Sequence, residues 1–68
     1  METIEKKTVD LVPGDRVVWG DGSKPENIDY VLRVEDYGEN TVKVHVRRPS
    51  GTTFFYAGVR SVQRVVAS

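Results

Sequence analysis

The sequence predicts a small all-β domain of five to six antiparallel strands, and three observations predict it. Between Ile28 and Arg48 the residues alternate with a period of two. Ile28, Tyr30, Leu32 and Val34, then Val42, Val44 and Val46, are set against Asp29, Arg33, Glu35, Thr41, Lys43, His45 and Arg47, and only Val31 breaks the pattern. Successive side chains of a strand point to opposite faces, so this alternation describes strands buried on one side. Valine is the commonest residue, with thirteen copies against two alanines and two leucines. Its branched Cβ suits a pleated surface, whereas Ala and Leu favour helices. Clusters of Gly, Pro and Asn punctuate the chain at short intervals, which is the spacing of turns between short strands.

Sixty-eight residues make one domain. A chain this short buries only about 60% of its unfolded surface, so its core is thin. With no cysteine, neither a disulfide nor a thiolate metal site can staple it, and a reducing compartment fits. No apolar run approaches the roughly 20 residues of a membrane helix. Residues 1–7 lack the apolar core of a signal peptide. A soluble, cytoplasmic protein with no membrane partner is expected.

Net charge is zero, but the halves differ. Residues 1–39 hold all ten acids and five bases, a net −5, and residues 40–68 hold no acid and five bases, a net +5. Asymmetry of this kind points to a charged partner or to charge pairing across the sheet.

Taken in order, residues 1–7 are polar, with only Ile4 as an anchor, and are expected as a flexible tail before a single domain over residues 8–68. Thr8–Val12 reads as a short first strand with Val9 and Leu11 inward. Pro13-Gly14-Asp15 is a turn in which Pro fixes one φ and Gly takes the positive one. Arg16–Trp19 follows, with Val17 and Trp19 on one face and Arg16 and Val18 on the other. Gly20–Asn27 is the longest irregular connection. Ile28–Asp36 and Thr41–Arg48 form a hairpin around Tyr37-Gly38-Glu39-Asn40. Pro49-Ser50-Gly51 turns the chain into Thr52–Tyr56, where Phe54 and Tyr56 share a face and Phe55 takes the other. Val59–Val62 reads as a 3₁₀ turn and Gln63–Val66 as the last strand.

The stretch Asp10-Leu11-Val12-Pro13-Gly14-Asp15-Arg16-Val17 resembles the opening of small SH3-like barrels. The order that follows it is similar too: a loop, a long central hairpin, a tight turn, an aromatic strand, a 3₁₀ turn and a final strand. The resemblance spans residues 8–66 and implies the architecture shared by Tudor, KOW and SH3 modules, a closed or nearly closed barrel. Functions vary widely on that architecture. Gly14-Asp15-Arg16-Val17 is also similar to the first turn of plasmid-type dihydrofolate reductases. The pore-lining Val-Gln-Ile-Tyr of those enzymes falls near Thr53-Phe54-Phe55-Tyr56, where only Tyr56 matches, so their activity is not expected.

Nothing else in the chain reads as catalytic. His45, the single histidine, sits on a strand between Lys43 and Arg47 with no nucleophile at motif spacing. Asp15 and Asp21 adjoin glycines, as turn residues do. The run Asp21–Glu26 lacks the ligand spacing of a calcium loop. No metal, cofactor or small-molecule substrate is expected. Trp19, Tyr30 and Tyr37 could contribute to a cation cage or a proline groove only if they met at one end of a barrel.

The residues therefore favour a non-catalytic binding module. The leading expectation is association with another protein or with itself through Val18, Val31 and Phe55, apolar residues on the nominal outer face. The alternative is nucleic acid held by Lys43, Arg47, Arg48, Arg60 and Arg64, set against a pI of about 6.6 that is low for such a binder. The expected core is Val9, Leu11, Val17, Trp19, Ile28, Tyr30, Leu32, Val34, Val42, Val44, Val46, Phe54, Tyr56, Val62 and Val65. The size also matches accessory proteins of phages and mobile elements.

Overall fold

Among the described residues, alternation becomes six strands: β1 (Thr3–Lys7), β2 (Arg16–Val18), β3 (Ile28–Gly38), β4 (Thr41–Arg48), β5 (Gly51–Gly58) and β6 (Val62–Val66). The computed structural model describes residues 2–67. Single 3₁₀ turns occupy Thr8–Asp10 and Pro25–Asn27. All pairings are antiparallel, in the order β1-β6-β2-β3-β4-β5. The sheet is open, with β1 and β5 as its two borders. Its Cα radius of gyration, 11.2 Å, matches the about 11 Å of a compact chain this long, so the sheet curls around a core instead of lying flat. Among the described residues, no helix is long and apolar enough to cross a membrane.

Residues 3–7 correct the expectation of a flexible tail. They pair with β6 from Thr3 opposite Val66 to Lys7 opposite Val62, and Lys6 Nζ reaches Asp15 Oδ2 at 2.7 Å. The partner strand lies almost sixty residues away in sequence, so nothing local announces it. The expected strand at Thr8–Val12 is instead a 3₁₀ turn over Thr8–Asp10 followed by irregular chain at Leu11 and Val12. Its tighter winding leaves Val9 exposed, while Leu11 stays buried.

The core consists of Leu11, Val17, Val31, Val42, Val44, Val46 and Val65, with Val34, Phe55 and Val59 packed against it. Alternation on β4 is as expected: Val42, Val44 and Val46 are all buried. On β3 the phase changes midway. Val31 pairs with Val46 and Arg33 with His45, so Leu32 is an extra residue, a β-bulge. Before the bulge the inward positions are Asp29 and Val31; after it the inward position is Val34. Tyr30 and Leu32, expected in the core, consequently face out, and Val31, expected outside, is only 2% exposed.

A second shift follows from register. Phe55 lies opposite buried Val44, while Phe54 and Tyr56 lie opposite His45 and Lys43. Directly opposed residues share a face, so Phe55 turns inward and Phe54 and Tyr56 turn out. Trp19 and Val62 are likewise exposed rather than core. At the β3–β4 turn, Glu39 and Asn40 both take positive φ, 53° and 61°, the requirement of a type I′ hairpin.

Candidate functional site

The registers of β3, β4 and β5 stack three rows across the outer face: Glu35–Lys43–Tyr56, Arg33–His45–Phe54 and Tyr30–Arg47–Thr52. The bulge adds Leu32 to this side, and a second irregularity between Asp36 and Gly38 adds Tyr37 beside Tyr56. The result is a face on which Tyr30 (42% exposed), Leu32 (42%), Tyr37 (60%), Phe54 (47%) and Tyr56 (48%) all reach solvent. Isolated apolar side chains are ordinary on protein surfaces; a grouped set on one face is not.

The aromatic side chains support one another. The ring centroids of Tyr37 and Tyr56 lie 4.9 Å apart and those of Phe54 and Tyr56 5.5 Å, both edge-on, the arrangement that aromatic quadrupoles favour. Cations lie among them. Lys43 Nζ stands 4.1 Å from the centre of the Phe54 ring and 5.8 Å from that of Tyr56, and the Arg47 guanidinium 5.8 Å from that of Tyr30. His45 Nε2 and Glu35 Oε1 are 2.9 Å apart, and the His45 ring lies 6.3 Å from that of Phe54. The hydrogen bond to His45 holds the Glu35 carboxyl below its ordinary value against desolvation, helped by the charges of Arg33, His45 and Lys43. A shallow depression between Leu32, Arg33, His45, Thr52 and Phe54 runs across the middle of the face.

The residue sets expected from sequence are not brought together in this way. Val18 and Val31 are buried, and Phe55 is half-buried with its ring edge-on to Trp19 at 5.3 Å, so these three form no surface patch. Val31 is inward because of the bulge and Phe55 because of its register. Val18 lies outside the main core, in the floor of a cleft formed by Thr3, the Gly20–Ser23 loop and Arg64. The five bases also scatter. Lys43 and Arg47 lie on the outer face. Arg48 turns to Asp29, Arg60 lies beside Asn40 and Gly58 at the far end of β4, and Arg64 donates to the Gly20 carbonyl.

Asp29 is the one wholly buried acid among the described residues. Its carboxylate accepts from Trp19 Nε1 at 2.8 Å and from Arg48 Nε and Nη2 at 2.8 and 3.1 Å. Both oxygens are occupied, which makes it a structural tie rather than a free acid or base. Trp19 is thus committed to Asp29 and Phe55, and Trp19, Tyr30 and Tyr37 make no cage: Tyr30 lies against Arg47 and Tyr37 against Tyr56. Among the described residues, no three His, Cys, Asp or Glu side chains group as metal ligands would.

Tyr30, Leu32, Phe54 and Tyr56 are expected in the core from sequence and lie instead on the surface, whereas Tyr37 is read there as a turn residue. One signal was present: the adjacent pair Val31-Leu32, two apolar residues in a row, marks the bulge that turns the strand over. No protein-family model matches the chain, and no curated protein and no solved structure matches it.

Proposed function

We propose that this protein is a non-catalytic binding module of the SH3-like type, the architecture of Tudor, KOW and SH3 domains, and that it acts by self-association through the side of the sheet formed by β3, β4 and β5. The observation that carries this reading is the grouping of Tyr30, Leu32, Tyr37, Phe54 and Tyr56, each more than two-fifths exposed, on one outer face. Aromatic side chains and arginine are the residues that protein interfaces concentrate, and a thin core gains stability from a second copy bound at this side of the sheet. The cysteine-free sequence favours action in the cytoplasm.

A second reading, single-stranded nucleic acid, is favoured by the placement of Lys43 over Phe54 and Arg47 over Tyr30. Rings interleaved with cations can stack bases and neutralise phosphates. It differs from the first in its response to salt, because phosphate binding releases counterions and weakens steeply as salt rises.

The test is molar mass in solution by light scattering, at low and high salt, with and without a short mixed-sequence single-stranded DNA. A dimer or larger species that persists at high salt supports self-association. A monomer that gains mass with DNA at low salt alone replaces it with the nucleic-acid reading. A monomer indifferent to both overturns self-association and nucleic acid together.

A further inference from the structure

We propose that the second copy joins edge to edge, β5 against β5 in antiparallel register about a two-fold axis at Phe55. The inference rests on the self-association reading and places the contact at the β5 border of that face, where Phe54 and Tyr56 of the two copies meet while Tyr30, Leu32 and Tyr37 lie outside the joint. Among the described residues, strand β5 is a border of the sheet and pairs with β4 alone. Among the described residues, none of the loop and turn backbone hydrogen bonds involves residues 51–57, and the side-chain hydrogen bond in this stretch joins Tyr56 to Tyr37 on the outer face. A free border of this kind is a template for another strand, and soluble proteins blunt it with charges, proline or a bulge. The sequence of β5, Gly-Thr-Thr-Phe-Phe-Tyr-Ala-Gly, has no charge and no proline, and its register with β4 runs unbroken from Gly51 to Gly58. The opposite border is protected: β1 carries Glu5, Lys6 and Lys7.

Self-pairing suits this strand. Opposed residues of an antiparallel pair share a face, so the register sum must be even for Phe54 and Tyr56 to stay outside in both copies. Centring on Phe55 puts each Phe54 opposite the other copy's Tyr56, which forms two aromatic cross-strand pairs. Each outer row then continues across the junction, from Glu35, Lys43 and Tyr56 to Phe54, His45 and Arg33 of the second copy. No two like charges face each other across the joint. Lys43 of one copy and His45 of the other stand three strand spacings apart, about 14 Å, beyond the roughly 8 Å over which salt leaves charges unscreened.

The experiment uses the absence of native cysteine. Phe54→Cys and Tyr56→Cys are made separately, each at an exposed position, and oxidised alone and as an equal mixture. Directly paired residues have Cα atoms about 4.5–5.5 Å apart, within the range a disulfide spans. The expected result is a disulfide dimer formed several-fold faster in the mixture than with either variant alone. In parallel, amide exchange of the wild type across residues 52–58 is expected to slow as protein concentration rises, a readout that needs no variant. Equal cross-linking in all three samples, or exchange at β5 that ignores concentration while light scattering reports a dimer, overturns edge pairing and leaves self-association standing. A wild-type monomer overturns both.

Discussion

Arg48 closes on Asp29 through two hydrogen bonds, 2.8 and 3.1 Å long, with the carboxylate wholly buried and the guanidinium side chain 41% exposed. Together with the Trp19 indole, this tie joins the residue after β2, the start of β3 and the end of β4. Removing one partner of a buried pair strands the other charge, which costs about 3–5 kcal/mol. Water reaches Arg48, so Arg48→Met is expected to lose about 3 kcal/mol, near the lower end of that range. Trp19→Phe removes a single hydrogen bond to the same charge and is expected to lose about 1–2 kcal/mol. Urea unfolding of each variant checks the order, and an Arg48→Met midpoint equal to that of the wild type would show that the tie contributes nothing.

The β3–β4 turn holds a correctable strain. Glu39 sits at φ 53° with no hydrogen bond from its own side chain among those described, only its carbonyl accepting from Thr41 Oγ1. The left-handed region costs a residue with an ordinary side chain about 1–2 kcal/mol, and asparagine tolerates it best after glycine. Glu39→Asn is therefore expected to stabilise the fold by about 0.5–1 kcal/mol. The urea midpoint should rise with an unchanged slope.

The bulge makes a prediction at two adjacent residues. Val31 is 2% exposed and Leu32 42%. Val31→Ser empties core volume and buries a hydroxyl, at an expected cost of about 2–3 kcal/mol. Leu32→Ser, the larger change in hydrophobicity, is expected to stay within about 0.5 kcal/mol of wild type. Equal losses in thermal or urea unfolding would place both residues in the core and deny the bulge.

Acid stability is set in part by Asp15. Partial burial pushes its carboxyl up, but the hydrogen bonds from Lys6 and the Val12 N–H and the Lys6 charge pull it down further, to a net value below the ordinary 3.8. A carboxyl whose folded pKa is depressed adds stability at pH above its unfolded value, and that stability is lost as pH falls through the folded value. The wild type is thus expected to weaken as pH drops below about 4, and Asp15→Asn to weaken less over the same window. Urea midpoints measured from neutral pH downward give both slopes; parallel slopes would remove Asp15 from the account.

Much of the sheet was legible in the sequence because β4 repeats one apolar residue type at every second position from Val42 to Val46, and the Gly38–Asn40 turn fixes where β3 ends. What was illegible depended on partners. Nothing in Thr3–Lys7 says strand until β6 lies beside it. The side on which Phe54, Phe55 and Tyr56 fall is decided by Val44 opposite Phe55, since two aromatics against one gave the wrong vote locally. At Leu32 a single inserted residue exchanges the two faces of β3. The candidate face inherits the last two effects, which is why local alternation points Tyr30, Leu32, Phe54 and Tyr56 to the core.

Among the described residues, six of the seven that form the buried core cluster are valine. A valine side chain has one rotatable bond and strong steric preference within it, so ordering it on folding forfeits little rotamer freedom compared with methionine or a long polar chain. A small sheet filled this way loses less entropy for each side chain it orders, a useful economy where little surface is available to bury. The same stiffness removes slack: short, branched side chains cannot swing to fill a void or make room for a methylene. The interior of this protein is therefore a poor place for sequence drift, and variation is expected to collect on its loops and its charged border.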